Sequence, residues 1–479
     1  MKKQITFINL CLGVLIMLAM SCKVEKIADL KKNTVLKTQG LTLISDPPRK
    51  ASDFVNSIGV CIHLSYVPYH DHFYDIVMPK LKLLGIKHVR EGVPYKSLIP
   101  TADTAIFKDR LIELHDSLGI KVNYVIASKK IVDSISLRDS ANYLSVFRTT
   151  PKLVPTIETL EGFNEPDLTI YGWYPSNYDT LTYKIQKGLY NKAHSMPELA
   201  GIPILCASIV SYWSSPSRPN KIAAITPSIS NYFDYANFHT YDSGSTNWKM
   251  FPGTYYDLTQ HFFPPVQQGK PYAVTEMGYE NARNWNVPGS SGYNISGYHY
   301  LSELSSGKYY SVMFMEQLKR GAKWAYCYEL IDENTSDQTN AENNFGLIHT
   351  DGTVKPAFTA IKNTIDLLSD ANSTFTLTPL TYTLTGDTTN VKTYLFQKSD
   401  GRYYLAIWQG QPAGVNYDWS TNTDLPADVQ NVTVTFTNTF STVKTYKPME
   451  SINPITTSTN VNSMVLPVPD QLMLVELKP

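Results

Sequence analysis

Short apolar runs alternate with longer segments of helical period between about residues 53 and 370. Between the runs, apolar residues recur every three to five positions, as at Ile106, Leu111 and Leu114, which places them on one helical face. Each run is typical of a buried strand. The eight runs are residues 58–62, 86–89, 122–126, 157–163, 204–207, 235–238, 273–275 and 324–328. Strand and helix alternating eight times predict an α/β fold, a (β/α)8 barrel over residues 53–371.

The pattern changes after residue 371 to threonine-rich alternation of apolar and polar positions, with polar turns such as residues 398–401. Alternation of this kind predicts an all-β sandwich over residues 372–479. A chain of 479 residues exceeds what one core usually supports, so two domains are expected. The lead, residues 22–52, contains a candidate extra strand for the β domain at 34–44. We expect the sandwich to pack on the barrel as a structural appendage.

The N-terminus has the pattern of a secretory signal of the lipoprotein type. Basic Lys2 and Lys3 precede an apolar segment, residues 5–20, which ends at Ser21-Cys22. The end of the segment resembles a bacterial lipobox, although Ala19 and Met20 depart from the usual residues. We expect residues 1–21 to be removed, Cys22 to be acylated, and the protein to be exported to the bacterial cell envelope, lipid-anchored to the outer membrane. An ordinary signal peptide or an uncleaved anchor are the alternatives.

Composition narrows the class of ligand. The chain carries 42 basic and 42 acidic residues without a polybasic stretch, which argues against nucleic acid or anionic lipid as the main ligand. Cys61, Cys206 and Cys327 fall inside strand-like runs and are expected to be buried free thiols. Neither metal-ligand spacing nor a phosphate loop, dinucleotide fingerprint or nucleophile elbow is evident. We therefore expect no metal and no organic cofactor, and an uncharged or nearly uncharged substrate.

Two carboxylates close strands on opposite halves of the predicted barrel. Glu165 follows the fourth run in Gly-Phe-Asn-Glu-Pro, and Glu276 follows the seventh in Val-Thr-Glu-Met-Gly. Barrel enzymes carry their active sites at this end of the strands. Two carboxylates about 5 Å apart are what retaining hydrolysis of a glycosidic bond requires. The alternative is two solvated loop acids.

At these residues the chain resembles glycoside hydrolase clan A, the 4/7 superfamily, over about residues 53–370. The resemblance implies that Glu165 is the general acid and then the general base, and that Glu276 is the nucleophile. It also implies that Asn164 binds the sugar 2-hydroxyl. An acid that works near neutral pH needs a raised pKa, which a neighbouring ionised carboxylate supplies.

Further residues at strand ends match the clan. Arg90 ends the second run, where the clan has an arginine that pairs with the nucleophile; a salt bridge to Glu91 is the alternative. The sixth run ends His239-Thr240-Tyr241, which is similar to the clan's His-x-Tyr. There the tyrosine contacts the nucleophile and the histidine binds sugar; plain packing is the alternative for both.

Aromatic residues at the same end are candidate sugar platforms, because flat rings stack on the apolar faces of pyranoses. Trp173, Trp213, Trp248 and Trp285 each follow a strand by a few residues. The resemblance makes Trp324 a candidate floor for the site, and His63 and Tyr328 occupy the rim without a role fixed by any motif. Loop packing is the alternative for the tryptophans.

These patterns predict a retaining glycoside hydrolase whose partner is a carbohydrate and which meets the membrane only through its lipid anchor. A glycan-binding surface lipoprotein without turnover is the rival of another class, and a transglycosylase with the same two acids is a third hypothesis.

Overall fold

The computed structural model describes residues 36–38, 41–44, 47–95, 104–127, 143–166, 178–210, 229–241, 267–282, 301–338, 340–410, 417–418, 423–424 and 428–479. Three short strands come first: β1 (Leu36–Thr38), β2 (Leu41–Ile44) and β3 (Arg49–Lys50). Eight strands follow: β4 (Ile58–Cys61), β5 (His88–Gly92), β6 (Lys121–Ala127), β7 (Ile157–Phe163), β8 (Ile204–Leu205), β9 (Ala236–Thr240), β10 (Tyr272–Met277) and β11 (Ala322–Cys327). The last group is β12 (Tyr382–Gly386), β13 (Val391–Gln397), β14 (Tyr403–Gln409), β15 (Tyr417–Asp418), β16 (Thr423–Asp424), β17 (Gln430–Tyr446), β18 (Thr456–Val468) and β19 (Met473–Lys478).

Helices lie mainly between the strands of the middle group. They are α1 (Ala51–Val55), α2 (Val67–Asp71), α3 (Met78–Leu84), α4 (Thr104–Leu118), α5 (Ser145–Thr149), α6 (Tyr178–Ser195), α7 (Glu303–Lys319) and α8 (Pro356–Leu368). A π-helical segment (Phe73–Val77) precedes α3, and 3-10 segments occur at Pro151–Thr156, Pro197–Leu199, Ser230–Tyr232 and Ala341–Asn344. Among the residues that the model describes, no helix combines the length and apolarity needed to cross a bilayer.

Strands β4 to β11 form one parallel sheet in the order β8-β7-β6-β5-β4-β11-β10-β9. Single parallel bridges, Leu205 to Tyr235 and Ile209 to Phe238, join its two ends and nearly close it into a barrel. Gly85 takes φ 78° as the C-cap of α3, a left-handed turn that glycine adopts without steric cost and that leads the chain into β5. The predicted (β/α)8 barrel is confirmed.

The barrel core has an outer and an inner part. Outward strand residues such as Val60, Val122 and Leu160 pack with apolar helix faces, among them Leu111 of α4 and Ile361 of α8. Each buried aliphatic side chain contributes about 1.5–3 kcal/mol relative to exposure. The inner part is more polar.

A glycine makes room for an aromatic ring inside the barrel. A Cβ at Gly59 would lie 2.2 Å from a ring atom of Tyr326, far inside van der Waals contact. Only glycine therefore fits at position 59 on β4 while Tyr326 fills the centre of the barrel.

The second domain is one continuous sheet in the order β1-β2-β12-β17-β19-β14-β13-β3, with β18 also paired to β17. The first half of β17 pairs with β12 and the second half with β19, and its pairing with β18 is irregular between Thr435 and Phe440. The sheet folds there around its own apolar core, which includes Tyr382, Leu405 and Val475. This arrangement is the predicted sandwich, built from a bent sheet, and β1 and β2 of the lead lie on its edge.

The layer formed by β13, β14 and β19 is buried on both faces. One face belongs to the sandwich core, and the other presents Phe396 and Trp408 to the core of the barrel. The rings of Phe396 and Phe54 of α1 have centroids 5.6 Å apart. The indole Nε1 of Trp408 donates to Glu316 Oε1 of α7 at 3.2 Å. The two domains therefore share a continuous apolar interface.

Candidate active site

The two carboxylates predicted from the strand ends meet at the carboxyl end of the barrel. Glu165 lies two residues beyond β7, and Glu276 is the fifth residue of β10. An oxygen of each, together with a ring nitrogen of His239, falls within a group of atoms that are all within 4.8 Å of one another. The structure thus brings together residues that are 111 positions apart in the chain.

Glu276 is held by two donors. Arg90 Nη1 donates to Oε1, and the Tyr241 hydroxyl donates to Oε2 at 2.6 Å. The side chain is almost fully buried. Both oxygens of Glu276 therefore accept hydrogen bonds, one of them charge-assisted, and these bonds fix the orientation of the carboxyl group.

Arg90 is anchored by a second acid, Glu161 of β7. Its Nε and Nη2 donate to the two oxygens of Glu161 at 2.9 and 2.7 Å. Asn123 Nδ2 also donates to Glu161 at 2.6 Å. Burial alone would raise the pKa of Glu161, but the Arg90 guanidinium outweighs it and lowers that pKa. Glu91, the alternative partner for Arg90, instead accepts hydrogen bonds from the backbone of Leu64 and Gly92.

Glu165 has a different environment from Glu276. Its backbone is left-handed, with φ 47°, and its N–H donates to Ser208 Oγ at 3.1 Å. Burial raises the pKa of Glu165 to about 7; Arg90 opposes this shift and Glu161 adds to it. Near neutral pH a large fraction of Glu165 therefore carries a proton.

His239 lies between the two acids. Its Nδ1 is 2.6 Å from Glu165 Oε1 and 3.4 Å from Glu276 Oε2, and its Nε2 is 3.0 Å from Thr275 Oγ1. Burial, with a further contribution from Arg90, lowers the pKa of His239 to about 4, so the ring is neutral near pH 7. The ring is fully buried and both nitrogens contact protein groups, and the expectation that His239 binds sugar stays a prediction.

Asn164 lies beside the acids through its contact with Arg90. Its Oδ1 accepts from Arg90 Nη2 at 2.6 Å and from Ser208 Oγ at 3.5 Å. These bonds direct the carbonyl end of the amide into the protein. The NH2 group is the end with which Asn164 would meet a sugar hydroxyl.

An aromatic wall borders Glu276 on the side of β11. Phe345 makes edge contacts with Tyr328 and Tyr241, with ring centroids 5.3 and 5.7 Å apart. His63 contacts Tyr328 at 5.4 Å and stacks on Tyr66 at 4.5 Å. Burial lowers the pKa of His63 to about 3, so this ring is also neutral. His63 and Tyr328, both predicted at the rim, lie together at this wall.

Trp324, predicted as a floor of the site, is the third residue of β11, and its predicted role stays untested. In the pairing of β10 with β11, Ala325 is level with Val274 and Cys327 with Met277, with a register shift between them. Trp324 therefore lies two to three residue steps below Glu276, about 7–10 Å along the strands. Trp324 instead contacts Tyr235 at the amino end of the barrel, with ring centroids 5.2 Å apart. A strand motif does not reveal the level at which an inward side chain lies.

Trp173, Trp213, Trp248 and Trp285 lie outside the described residues, as does Cys22. Their predicted roles therefore stay predictions.

The pattern of the sequence did not single out Glu161, Thr275, Phe345 or Glu342. Glu161 was detectable in principle, because a charge inside a buried strand is costly unless paired, and Arg90 offers the pair. Phe345 and Glu342 come from the segment after β11, which carries no motif. Burial raises the pKa of Glu342 to about 8, with smaller contributions from Glu333, Glu165 and Glu276, so a third carboxyl group faces the pair.

Glu165, His239 and Glu276 have atoms close enough to be considered as ligands of a divalent cation. Their existing bonds argue against that use. Arg90 and the Tyr241 hydroxyl already occupy the oxygens of Glu276, and the guanidinium would repel a second cation at contact distance. The arrangement of Glu165, His239 and Glu276 therefore suits proton transfer better than metal binding.

No protein-family model and no curated protein matches the chain. Solved structures do match. A family 39 glycoside hydrolase from the gut symbiont Bacteroides cellulosilyticus WH2 is 13% identical with a TM-score of 0.54, covering 91% of this chain and 84% of that one. A glucosidase from Croceicoccus marinus is 10% identical with a TM-score of 0.60, covering 91% and 98%.

A monomeric beta-xylosidase from Caulobacter crescentus CB15 is 13% identical with a TM-score of 0.56, covering 91% of this chain and 98% of that one. The chain has the fold of these glycoside hydrolases. The likeness extends over the barrel and the β domain together, since 91% of the chain is covered. The glycoside hydrolase fold thus carries the two acids at the end of the barrel where such folds place their active sites.

Proposed function

We propose that the protein is a retaining glycoside hydrolase that cleaves O-glycosidic bonds of a poly- or oligosaccharide by double displacement. The observation that carries this proposal is a carboxylate pair within 4.8 Å whose members have opposite environments. Inverting enzymes need about 6.5–9.5 Å between their acids to admit a water, and retaining enzymes about 5–5.5 Å. The short spacing favours the retaining mechanism.

The different environments of the two acids support a different role for each. Glu276, oriented by Arg90 and Tyr241, would attack the anomeric carbon while the bond to the leaving oxygen breaks. Glu165, whose pKa is raised to about 7, would give its proton to that oxygen. In the second step water would attack the glycosyl ester and give its proton to Glu165, which releases the sugar and restores both acids.

The aromatic wall supports a carbohydrate as the substrate. Phe345 contacts Tyr328 and also Tyr241, the residue that donates to Glu276, and aromatic rings are the side chains that stack on sugar rings. Asn164 would bind a hydroxyl of a sugar in this position; the support is that it shares Arg90 with Glu276.

Aryl β-xylosides and aryl β-glucosides are suitable first probes, because structural neighbours include a beta-xylosidase and a glucosidase. The wild type should release the aryl group with retention of anomeric configuration, and Glu276→Ala should not. Glu165→Ala should be slow but rescued by azide, giving a glycosyl azide of retained configuration. An inverted product without azide rescue would remove the assignment of the nucleophile.

A panel of plant and microbial polysaccharides separates the rival hypotheses. New reducing ends from the wild type, absent with Glu276→Ala, indicate a hydrolase. Longer oligosaccharides formed without net gain of reducing ends would indicate a transglycosylase. Binding of a glycan by both proteins without any product, on aryl glycosides as well, would favour the glycan-binding lipoprotein.

We also propose export to the bacterial cell envelope with a lipid on Cys22. The support is the sequence alone: an apolar segment preceded by two lysines and followed by Ser21-Cys22. Metabolic labelling with a fatty acid should mark the wild type and not Cys22→Ala. Equal labelling of both, or none of either, would remove this assignment.

A further inference from the structure

A chain of hydrogen bonds runs from the middle of the barrel to Glu165. Thr275 Oγ1 lies 2.8 Å from Asn237 Oδ1 and 3.3 Å from Glu161 Oε1. It also lies 3.0 Å from His239 Nε2, and His239 Nδ1 lies 2.6 Å from Glu165 Oε1. Every side chain in this chain except Glu165 is fully buried, so water does not compete for these bonds.

The direction of each bond follows from the number of protons available. The Thr275 hydroxyl has one proton and faces two oxygen acceptors, Asn237 Oδ1 and Glu161 Oε1. The amide of Asn237 is oriented independently, since its Nδ2 faces the carbonyl of Cys206 at 3.4 Å. The hydroxyl therefore donates to one of the two oxygens and can only accept from His239, so the imidazole proton is on Nε2.

The tautomer of His239 in turn determines where the proton between His239 and Glu165 lies. A neutral imidazole protonated at Nε2 presents a lone pair at Nδ1. A carboxylate oxygen 2.6 Å from that lone pair would be repelled unless a proton lay between them. That proton must be on Glu165.

We propose that His239 and Thr275 are positioning residues that hold Glu165 in its protonated form before the sugar is cleaved. This inference rests on the proposed function, in which Glu165 is the acid. The protonated carboxyl group of Glu165 donates a hydrogen bond to Nδ1 of His239, and it donates to the leaving oxygen instead when a glycoside occupies the cleft.

The tautomer also affects the second half of the reaction. Once Glu165 has given up its proton, its carboxylate faces the Nδ1 lone pair of His239. The repulsion between them favours recapture of a proton, which the attacking water supplies as its oxygen bonds to the anomeric carbon. One proton thus leaves Glu165 in the first step and one returns in the second, with His239 unchanged.

Other charged or titratable groups also face Glu165 and act on its pKa. Arg90 from β5 lowers the pKa of Glu165 and Glu161 from β7 raises it. Tyr241, which follows β9, and Glu342, in the segment after β11, each have a pKa that Glu165 raises. Glu276 of β10 is the remaining neighbour. The substitution that tests the proposal leaves all five unchanged.

The first test reads the tautomer without any substrate. The full chain, labelled with 15N-histidine, is examined by long-range proton–nitrogen correlation near pH 7, and the His239 signals are identified by their loss in His239→Gln. Signals of an Nε2–H tautomer with bare Nδ1 support the proposal. An Nδ1–H tautomer, or a charged ring, overturns it.

The second test uses Thr275→Val, which removes the hydroxyl and keeps the shape. A buried Nε2–H without an acceptor is costly, so the imidazole proton should move to Nδ1 and stabilise the Glu165 carboxylate. We expect the alkaline limb of the kcat/KM profile to move down by about one pH unit. Thr275→Ser should restore it.

Thr364→Val is the matched control. It removes another buried threonine hydroxyl, which donates to the backbone of Ala360 in α8 at 2.7 Å, far from the acids. An alkaline limb that stays in place in Thr275→Val, or moves equally in the control, overturns the proposal. Absence of glycoside hydrolysis by the wild type would refute the proposed function but not the tautomer of His239. The nitrogen spectrum of the wild type decides the tautomer by itself, even if Thr275→Val fails to fold.

Discussion

Replacing Glu161 by glutamine tests whether the buried acid beneath the site holds Arg90 in place. Glu161 receives donors from Arg90 Nε and Nη2, from Asn123 Nδ2 and from Thr275 Oγ1. The glutamine side chain has the same shape, but its NH2 group replaces one of the two oxygens that accept from Arg90. Two hydrogen-bond donors then face each other. Breaking a buried ion pair by removing one partner costs about 3–5 kcal/mol. Glu276 still faces Arg90, so we expect the lower end, about 3 kcal/mol.

Urea unfolding followed by tryptophan fluorescence measures this loss at pH 7. The pKa of Glu161 is lowered in the folded protein, so its stabilising effect is present above the unfolded pKa and is lost as pH falls through the folded value. The difference between wild type and Glu161→Gln should therefore shrink below about pH 4.

Glu158→Gln is the control on the same strand. Glu158 is partly exposed and lies 3.3 Å from His88, so we expect a loss below about 1 kcal/mol. If Glu161→Gln were as stable as the wild type at pH 7, or if Glu158→Gln lost as much, the idea that Glu161 is the anchor of Arg90 would be refuted.

Three further predictions follow from the same contacts. Tyr241→Phe removes the hydroxyl that donates to Glu276 at 2.6 Å, and kcat/KM on an aryl glycoside should fall about ten- to a hundredfold; an unchanged value would show that the hydroxyl does not position the nucleophile. Dialysis against EDTA should leave hydrolysis unchanged, whereas a loss that a divalent cation restores would show that the acids hold a metal. Bonds to Asp332 and then to Glu303 raise the pKa of His349 to about 9. His349→Gln should therefore cost about 1 kcal/mol below pH 6.5. That difference should vanish as pH rises through 9, and a difference that grew with pH would contradict the assignment.

The order of elements was predictable because burial leaves a clear pattern in the sequence. Parallel barrel strands are covered on both sides, so they are short apolar runs bounded by polar and glycine residues. The two acids were also predictable, since the carboxyl ends of all barrel strands meet at one edge. Strand bounds were less accurate: β8 is only Ile204–Leu205, and β9 extends to Thr240.

The sequence pattern did not give the depth or the bonding of inward side chains. Trp324 of β11 and Tyr328, the residue after β11, fall in the same apolar run, yet Trp324 contacts Tyr235 and Tyr328 contacts Phe345. His239 was expected to bind sugar because its motif is similar to the clan's His-x-Tyr. Its contact with Thr275 of β10 was not predicted, because contacts between strands are set by register rather than by local sequence.

The left-handed backbone of Glu165 has a consequence for how this site could change. A residue with a Cβ at φ 47° is strained by about 1 kcal/mol, and glycine or asparagine adopts this conformation more readily. If Glu165 is the acid, as proposed, activity and folding favour different residues at position 165. Exchanging it for glycine or asparagine would relieve the strain and stabilise the fold, and restoring the glutamate would bring the strain back.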